Sequence, residues 1–221
     1  AAALASTQVL GLTTLQIAAM ETADLASLAT ASVRALASVQ MLALLTGSVV
    51  ALTSAQVAVL SSAQVLALTT VQVAAMETVD VAALNTAAVG GMGTAQVVGL
   101  TTAQAAALTS AQVFALSTVQ LVAMETVDIA ALATASVAGM GTLQVVGIST
   151  AQAAALATAQ VAAMTTLQVF AMETADLASL ATTSVQAMTT LQVVALNTWS
   201  VAALTSNQVA ALSSAQVSSM S

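Results

Sequence analysis

The sequence contains no cysteine, histidine, proline or tyrosine, and its single basic residue is Arg34. Without cysteine the chain has neither disulfides nor thiolate metal ligands, and without histidine it lacks the commonest general base and transition-metal ligand. One basic residue against eight acidic ones gives a net charge of −7, which argues against binding to nucleic-acid phosphates. These absences predict a protein that is not an enzyme.

Charged residues of either sign are also scarce. They make up 4% of the chain, whereas hydrophobic residues make up 59% and the mean hydropathy is +1.03. A typical soluble domain carries about 25% charged residues, and a membrane-spanning helix needs ~20 consecutive apolar residues. Because a Ser or Thr recurs in every octad, we predict that the chain does not span a membrane. Because the surface has so few charges, we instead predict that a partner covers it, most simply copies of the same chain.

An eight-residue repeat runs from Leu4 to Met220 without an insertion or a deletion. Leu4 occupies position 1, and every eighth residue after it is Leu, Met or Ile. Position 3 is Ser or Thr in every complete octad, position 5 is mostly Gln, position 6 is apolar and usually Val, and position 8 is small with one exception. The consensus L-x-[ST]-x-Q-V-x-A varies most at positions 2 and 7, and a short period of this kind predicts a solenoid.

The period excludes one continuous helix, because eight residues at about 100° each overshoot two turns by about 80° and the apolar stripe would wind around the helix. We predict an all-α repeat solenoid of stacked mini-helices, one per octad. In this arrangement the position-3 hydroxyl is the N-cap, and the helix covers positions 4 to 8 and the next position 1. Positions 6 and 1 then face the core, position 7 faces outward, and positions 4 and 8 form a small-residue flank against the neighbouring turn.

A β-solenoid is the alternative, with positions 1, 3, 6 and 8 pointing inward, and the abundance of Val and Thr suits it. The prevalence of Ala, Leu, Met and Gln favours helices. In either form, we expect residues 1–221 to be a single continuous array. No initiator Met, signal peptide or polar end cap is visible, which predicts a window of a longer array or a filament subunit.

The phrase LTTAQAAA at Leu100–Ala107, with its variant LTSAQVFA at Leu108–Ala115, resembles octad arrays of very large secreted bacterial surface proteins. Those proteins are often described as adhesin-like or haem-utilisation-like. The resemblance covers essentially the whole chain, transfers no catalytic or binding residue, and implies export and assembly at the cell surface. It therefore predicts an extracellular structural protein that forms a filament, fibre or surface layer by repeat stacking and lateral self-association.

Every acidic residue belongs to a Glu-x-x-Asp pair, and three of the pairs follow one another at intervals of six octads. These three candidate calcium sites are Glu77 with Asp80, Glu125 with Asp128, and Glu173 with Asp176; Glu21 and Asp24 form a fourth pair. Ca²⁺ takes about six to eight oxygen ligands, so a neighbouring turn or subunit would have to complete a site. A calcium-dependent adhesin stalk is thus one alternative function. The other interpretation of the pairs is a solvated acidic stripe.

Three further features of the repeat are the Ser or Thr at position 3 (the Ser/Thr column), the frequent Gln at position 5 (the Gln column) and three aromatic residues. An ordered array of position-3 hydroxyls would suit an ice-binding solenoid, whereas the free mixture of Ser and Thr favours hydroxyls that satisfy helix ends or buried backbone. The Gln column has two open interpretations: side-chain amides stacked along the fibre, or simple surface polarity. Phe114, Phe170 and Trp199 are predicted contact points between neighbouring chains.

Overall fold

Each octad forms one short α-helix in the computed structural model, which describes residues 4–220. Within that range there are 27 helices of four to six residues and no strand, which confirms the predicted mini-helix solenoid and contradicts the β-solenoid. The helices are α1 (Ser6–Leu10), α2 (Thr14–Ala18), α3 (Thr22–Ala26), α4 (Thr30–Arg34), α5 (Ser38–Ala43), α6 (Thr46–Val50), α7 (Ser54–Val57), α8 (Ser62–Leu66), α9 (Thr70–Ala75), α10 (Thr78–Ala83), α11 (Thr86–Gly90), α12 (Thr94–Val98), α13 (Thr102–Ala107), α14 (Ser110–Ala115), α15 (Thr118–Ala123), α16 (Thr126–Ala131), α17 (Thr134–Ala138), α18 (Thr142–Gly147), α19 (Thr150–Ala155), α20 (Thr158–Ala163), α21 (Thr166–Ala171), α22 (Thr174–Ser179), α23 (Thr182–Gln186), α24 (Thr190–Val194), α25 (Thr198–Ala203), α26 (Ser206–Ala211) and α27 (Ser214–Ser219).

The helix starts one residue earlier in the octad than the sequence predicts. Position 3 is the first helical residue, and the N-cap is position 2, which is extended; in α9 the hydroxyl of Thr69 accepts a hydrogen bond from the N–H of Gln72. The helix ends at position 6, 7 or 8. The sequence predicts that the helix includes the following position 1, but this residue lies outside the helix. In the octad after α9, Met76 at φ −60° and ψ 144° is the first of two extended residues that form the corner. The prediction of an N-cap at position 3 is therefore wrong.

The helices stack three octads apart. The chain divides into two compact units, Ala1–Leu108 and Thr109–Ser221. In the first unit α1, α4, α7, α10 and α13 form one stack, α2, α5, α8 and α11 a second, and α3, α6, α9 and α12 a third. In the second unit the stacks are α14, α17, α20, α23 and α26; α15, α18, α21, α24 and α27; and α16, α19, α22 and α25. Three octads therefore make one turn in each unit, while a single continuous array over residues 1–221 stays a prediction.

Burial follows the octad positions. Positions 6 and 1 form the core as predicted, for example Val65 and Leu68, which are 0% and 3% exposed. Position 7 faces outward, also as predicted. Position 4 faces outward too, so its expected place in a buried flank is wrong: Leu143 is 77% exposed. Position 8 does meet the neighbouring turn, because a Cβ added to Gly91 would lie 2.5 Å from the Cβ of Ser62 in α8.

None of the helices between residues 4 and 220 has both the length and the apolar character needed to cross a membrane.

Candidate functional site

A reciprocal capping box opens twelve of the 27 helices described between residues 4 and 220. In α8 the Oε1 of Gln64 accepts a hydrogen bond of 2.9 Å from the N–H of Ser61, and the N–H of Gln64 donates to the Oγ of Ser61 at 3.3 Å. Two helix-start N–H groups, which have no partner within a helix, are thereby satisfied. Position 2 varies along the sequence, yet the S/T-x-x-Q spacing between positions 2 and 5 is the signal that identifies this box.

The amide nitrogen of the same glutamine binds the preceding turn. The Nε2 of Gln64 donates to the carbonyl oxygens of Val33, Arg34 and Leu36 at 3.0, 3.2 and 2.8 Å. These carbonyls lie at or just after the end of α4, 28 to 31 residues earlier, where backbone donors run out; the carbonyl of Val33 also accepts from the N–H of Leu36 at 3.1 Å. Gln64 is 3% exposed. One buried side chain thus caps the N-terminus of its own helix and the C-terminus of a helix in the preceding turn.

The same inter-turn bonds recur along each unit, and we call these residues the glutamine ladder. Its members are Gln40, Gln56, Gln64, Gln72, Gln96, Gln104, Gln144, Gln152, Gln160, Gln168, Gln192, Gln208 and Gln216. The amides bond to backbone carbonyls, not to one another, and they are buried. Neither stacked side-chain amides nor surface polarity, the two interpretations left open by the sequence, therefore describes these thirteen glutamines.

One octad without a ladder residue uses a substitute. Position 5 of α11 is Ala88, and position 2 is Asn85. The Oδ1 of Asn85 accepts from the N–H of Ala88 at 2.9 Å, and its Nδ2 donates to the carbonyl oxygens of Ala58 and Leu60 at 3.1 and 2.7 Å. A side-chain amide at position 2 thus performs both tasks of the missing glutamine. The exchange shows that a side-chain amide can cap its helix and bind the preceding turn from either position.

The acidic pairs take the two capping positions but carry no N–H to donate. Glu173 at position 2 is exposed, whereas Asp176 at position 5 is 1% exposed. The Oδ2 of Asp176 has no hydrogen-bond donor among the described residues. Burial raises the pKa of the Asp176 carboxyl; a hydrogen bond from Thr150 lowers the pKa, and the charge of Glu173 raises it. In the other unit the Oδ1 of Asp80 accepts from the hydroxyl of Ser54 at 2.6 Å.

The structure does not bring two acidic pairs into one site within a unit. Glu125 and Asp128 are the N-cap and a first-turn residue of α16, and Glu173 and Asp176 have the same places in α22. Both helices belong to one stack, but α19 separates them. Across residues 4–220 no three acidic side chains gather in a metal-binding arrangement. Calcium binding by the predicted residues stays a prediction, and any site would draw on a single pair with backbone or external oxygens.

Several hydroxyl groups at position 3 form hydrogen bonds between successive turns. Ser62 donates to the carbonyl oxygen of Ala87 at 2.7 Å, and Ser110 donates to that of Ala135 at 2.8 Å. Each acceptor lies one turn further along the same stack. This arrangement supports the interpretation in which the hydroxyls satisfy backbone groups. Ice binding by the Ser/Thr column stays a prediction.

One side of the second unit carries large apolar side chains at both outward positions. They belong to α15, α18, α21 and α24 of one stack, and we call them the apolar face: Val119, Val122, Leu143, Val146, Leu167, Phe170, Leu191 and Val194. Their side chains are between 40% and 77% exposed. Phe114 and Trp199, which are 63% and 79% exposed, lie on the other two stacks. The exposure of the three aromatic residues suits their predicted role as contact points.

Short helices that turn every three octads and bond through side-chain amides define a helical-repeat solenoid. A family model described as the ALTTAQ repeat matches residues 17–54, 73–110, 121–166, 169–206 and 192–221, and the chain belongs to this family. The six letters correspond to octad positions 8, 1, 2, 3, 4 and 5, which form the corner and the capping box. No curated protein matches the chain, and no solved structure does.

Proposed function

We propose that this chain is a non-catalytic structural protein that forms an extracellular filament, fibre or surface layer at the cell surface. Membership of a repeat family supports a role based on repeat stacking. The outward positions repeat the same small or apolar side chains instead of converging unlike polar groups, which a catalytic pocket requires. The secreted surface arrays that the sequence resembles support the extracellular location.

The observation that carries the proposal is the glutamine ladder together with the outer surface. The thirteen glutamines of the ladder each form a buried bond to the preceding turn, and these bonds help to hold eight-residue units too short to fold alone in a stack. The surface of that stack carries few charges, because charged residues are 4% of the whole chain. With so few like charges to keep copies apart in water, side-by-side association of copies is the favoured state.

Electron microscopy of the purified chain over a range of concentrations tests the assembly. We expect fibres or sheets whose amount rises with concentration. A dispersed monomer at high concentration would contradict the proposal. Location is tested separately, with an antibody against the chain and added protease on intact producing cells. Surface labelling and protease sensitivity are expected, and a signal that appears only after lysis would contradict the extracellular site.

A calcium-dependent form of this function has one specific observation in its favour, the unpartnered Oδ2 of buried Asp176. Ca²⁺ binds carboxylate and backbone oxygens together, and Glu173 lies at the start of the same helix. Calorimetric titration of calcium into the chain, with Asp176→Asn as the matched control, tests the idea. Binding that the control loses, together with dissociation of assemblies by a chelator, would support it. Equal heats in both proteins would refute it.

A further inference from the structure

The three sides of the second unit differ in the size of their outward residues. On α15, α18, α21 and α24 of one stack, positions 4 and 7 carry only Val, Leu or Phe, which are the eight residues of the apolar face. On α17 and α20 of a neighbouring stack, the same positions are Ala135, Ala138, Ala159 and Ala162. Large apolar side chains thus run without interruption over four successive turns of one side only.

The apolar face is large enough for a specific interface. Its eight side chains are 40% to 77% exposed. Each side chain exposes about 100 Å² of apolar area, so the eight together expose roughly 800 Å². This area matches what each partner contributes to a standard protein interface. Positions 4 and 7 are three residues apart, so each helix presents its two side chains on a common outer surface. Monomeric proteins rarely leave a patch of this size uncovered.

We propose that the apolar face is the surface through which a second copy of this chain pairs laterally. This inference rests on the proposed assembly and assigns its contact to one side of the second unit. The side chains recur once per turn, on every third octad, so two identical faces meet with the same spacing along their whole length. A self-complementary patch of this kind produces a two-fold pair.

Charge also favours a second copy. The carboxylates of the second unit, on Glu125, Asp128, Glu173 and Asp176, all belong to α16 and α22 of another stack, so pairing through the apolar face brings no acidic residue onto the contact. The single basic residue of the chain, Arg34, lies in the first unit. A lipid surface is a poorer fit, because membrane-binding apolar faces are normally bordered by Lys or Arg that contact anionic headgroups.

Sedimentation velocity of the full-length chain and two double variants tests the pairing. The variant Leu167→Ser with Phe170→Ser removes two large side chains from the middle of the apolar face. The matched control, Val39→Ser with Leu42→Ser, removes two large exposed side chains from positions 4 and 7 of α5 in the first unit. Circular dichroism confirms that both remain helical. We expect the first variant to raise the dissociation constant of the pair roughly 100-fold and the control to change it less than about 3-fold.

Cross-linking supplies a second measurement, because the chain contains no cysteine. Leu167→Cys on the apolar face should form dimers with a short bismaleimide, while Ala159→Cys on the neighbouring stack should not. Equal association of wild type and both double variants would overturn the pairing surface while leaving self-assembly intact. A wild type that stays monomeric would overturn both proposals. Binding of the monomer to anionic vesicles, lost in the apolar-face variant, would overturn the second copy in favour of lipid.

Discussion

Replacing Gln168 by Glu exchanges a side-chain amide for a carboxylate of nearly the same shape that has no N–H to donate. In the wild type the Nε2 of Gln168 donates to the carbonyl oxygens of Val137, Ala138 and Met140 at 2.9, 3.2 and 2.8 Å. The Oε1 accepts from the N–H of Thr165 at 2.7 Å. The substitution keeps this local acceptor and removes only the bonds to the preceding turn, so it isolates the contribution of the glutamine ladder.

The expected loss of stability is large because Gln168 is 2% exposed. An amide donor is lost and a negative charge is placed against carbonyl oxygens, where water reaches poorly. Buried acceptors left without donors cost about 1–3 kcal/mol each, and buried charge adds to that penalty. We expect the free energy of unfolding to fall by about 3–5 kcal/mol, a substantial part of the ~5–15 kcal/mol that typical domains possess.

The matched control is Gln16→Glu. Gln16 has the same capping box, with its Oε1 accepting from the N–H of Thr13 at 2.8 Å, but its side chain is exposed. An acidic group in the first turn of a helix is favourable, so we expect the control to change stability by less than about 0.5 kcal/mol. Urea unfolding followed by circular dichroism measures both variants, and amide hydrogen exchange at Val137–Met140 locates the loss.

The pH dependence gives an independent readout. Burial against carbonyl oxygens should raise the pKa of the new carboxyl, and the protonated acid can donate one O–H. The destabilisation by Gln168→Glu should therefore shrink in acid. If Gln168→Glu and Gln16→Glu lose the same stability at neutral pH, the ladder does not hold the turns together and the explanation of the stack is wrong.

Four further substitutions test other parts of the stack. Asp176→Gln should raise the free energy of unfolding by about 1–2 kcal/mol at neutral pH, because the new amide can donate where the carboxylate cannot. Burial raises the pKa of Asp176, so wild-type stability should fall as pH rises from the unfolded pKa through the folded one, and urea curves of the variant should lack this fall. Asn85→Ala should lower stability by about 2 kcal/mol; an unchanged urea midpoint would refute its double role. Gly91→Ala should destabilise through the clash with Ser62, whereas Gly47→Ala, with nothing within 4 Å, should stabilise by about 0.5–1 kcal/mol. Thermal unfolding that ranks the two glycine variants the other way would contradict the packing.

The features that sequence patterns predicted correctly are local ones. The burial of positions 6 and 1 follows from three-residue spacing on a helix, and Val65 with Leu68 shows it. The sequence pattern predicts the wrong N-cap because every complete octad has a hydroxyl residue at position 3, whereas only some octads have one at position 2. At position 3, Ser62 instead donates to the following turn, which depends on a neighbour 25 residues away.

The role of the Gln column depends on contacts 28 to 31 residues apart, which no local pattern reports. The number of octads per turn did leave a signal. Large apolar residues recur on every third octad, at position 4 as Leu143, Leu167 and Leu191 and at position 7 as Val146, Phe170 and Val194. This recurrence predicts three octads per turn, provided that exposed apolar positions are compared as well as buried ones.

Closure after every third octad constrains how such a chain can change its length. Insertion or deletion of three octads would leave every later side chain on its original side, whereas a single octad would shift all later side chains to the next side. Within the second unit, the six-octad interval from Asp128 to Asp176 is two complete turns. The interval from Asp24 to Asp80 is seven octads, and accordingly α3 and α10 belong to different stacks of the first unit. Lineages that keep a binding side intact should therefore gain and lose material in whole turns.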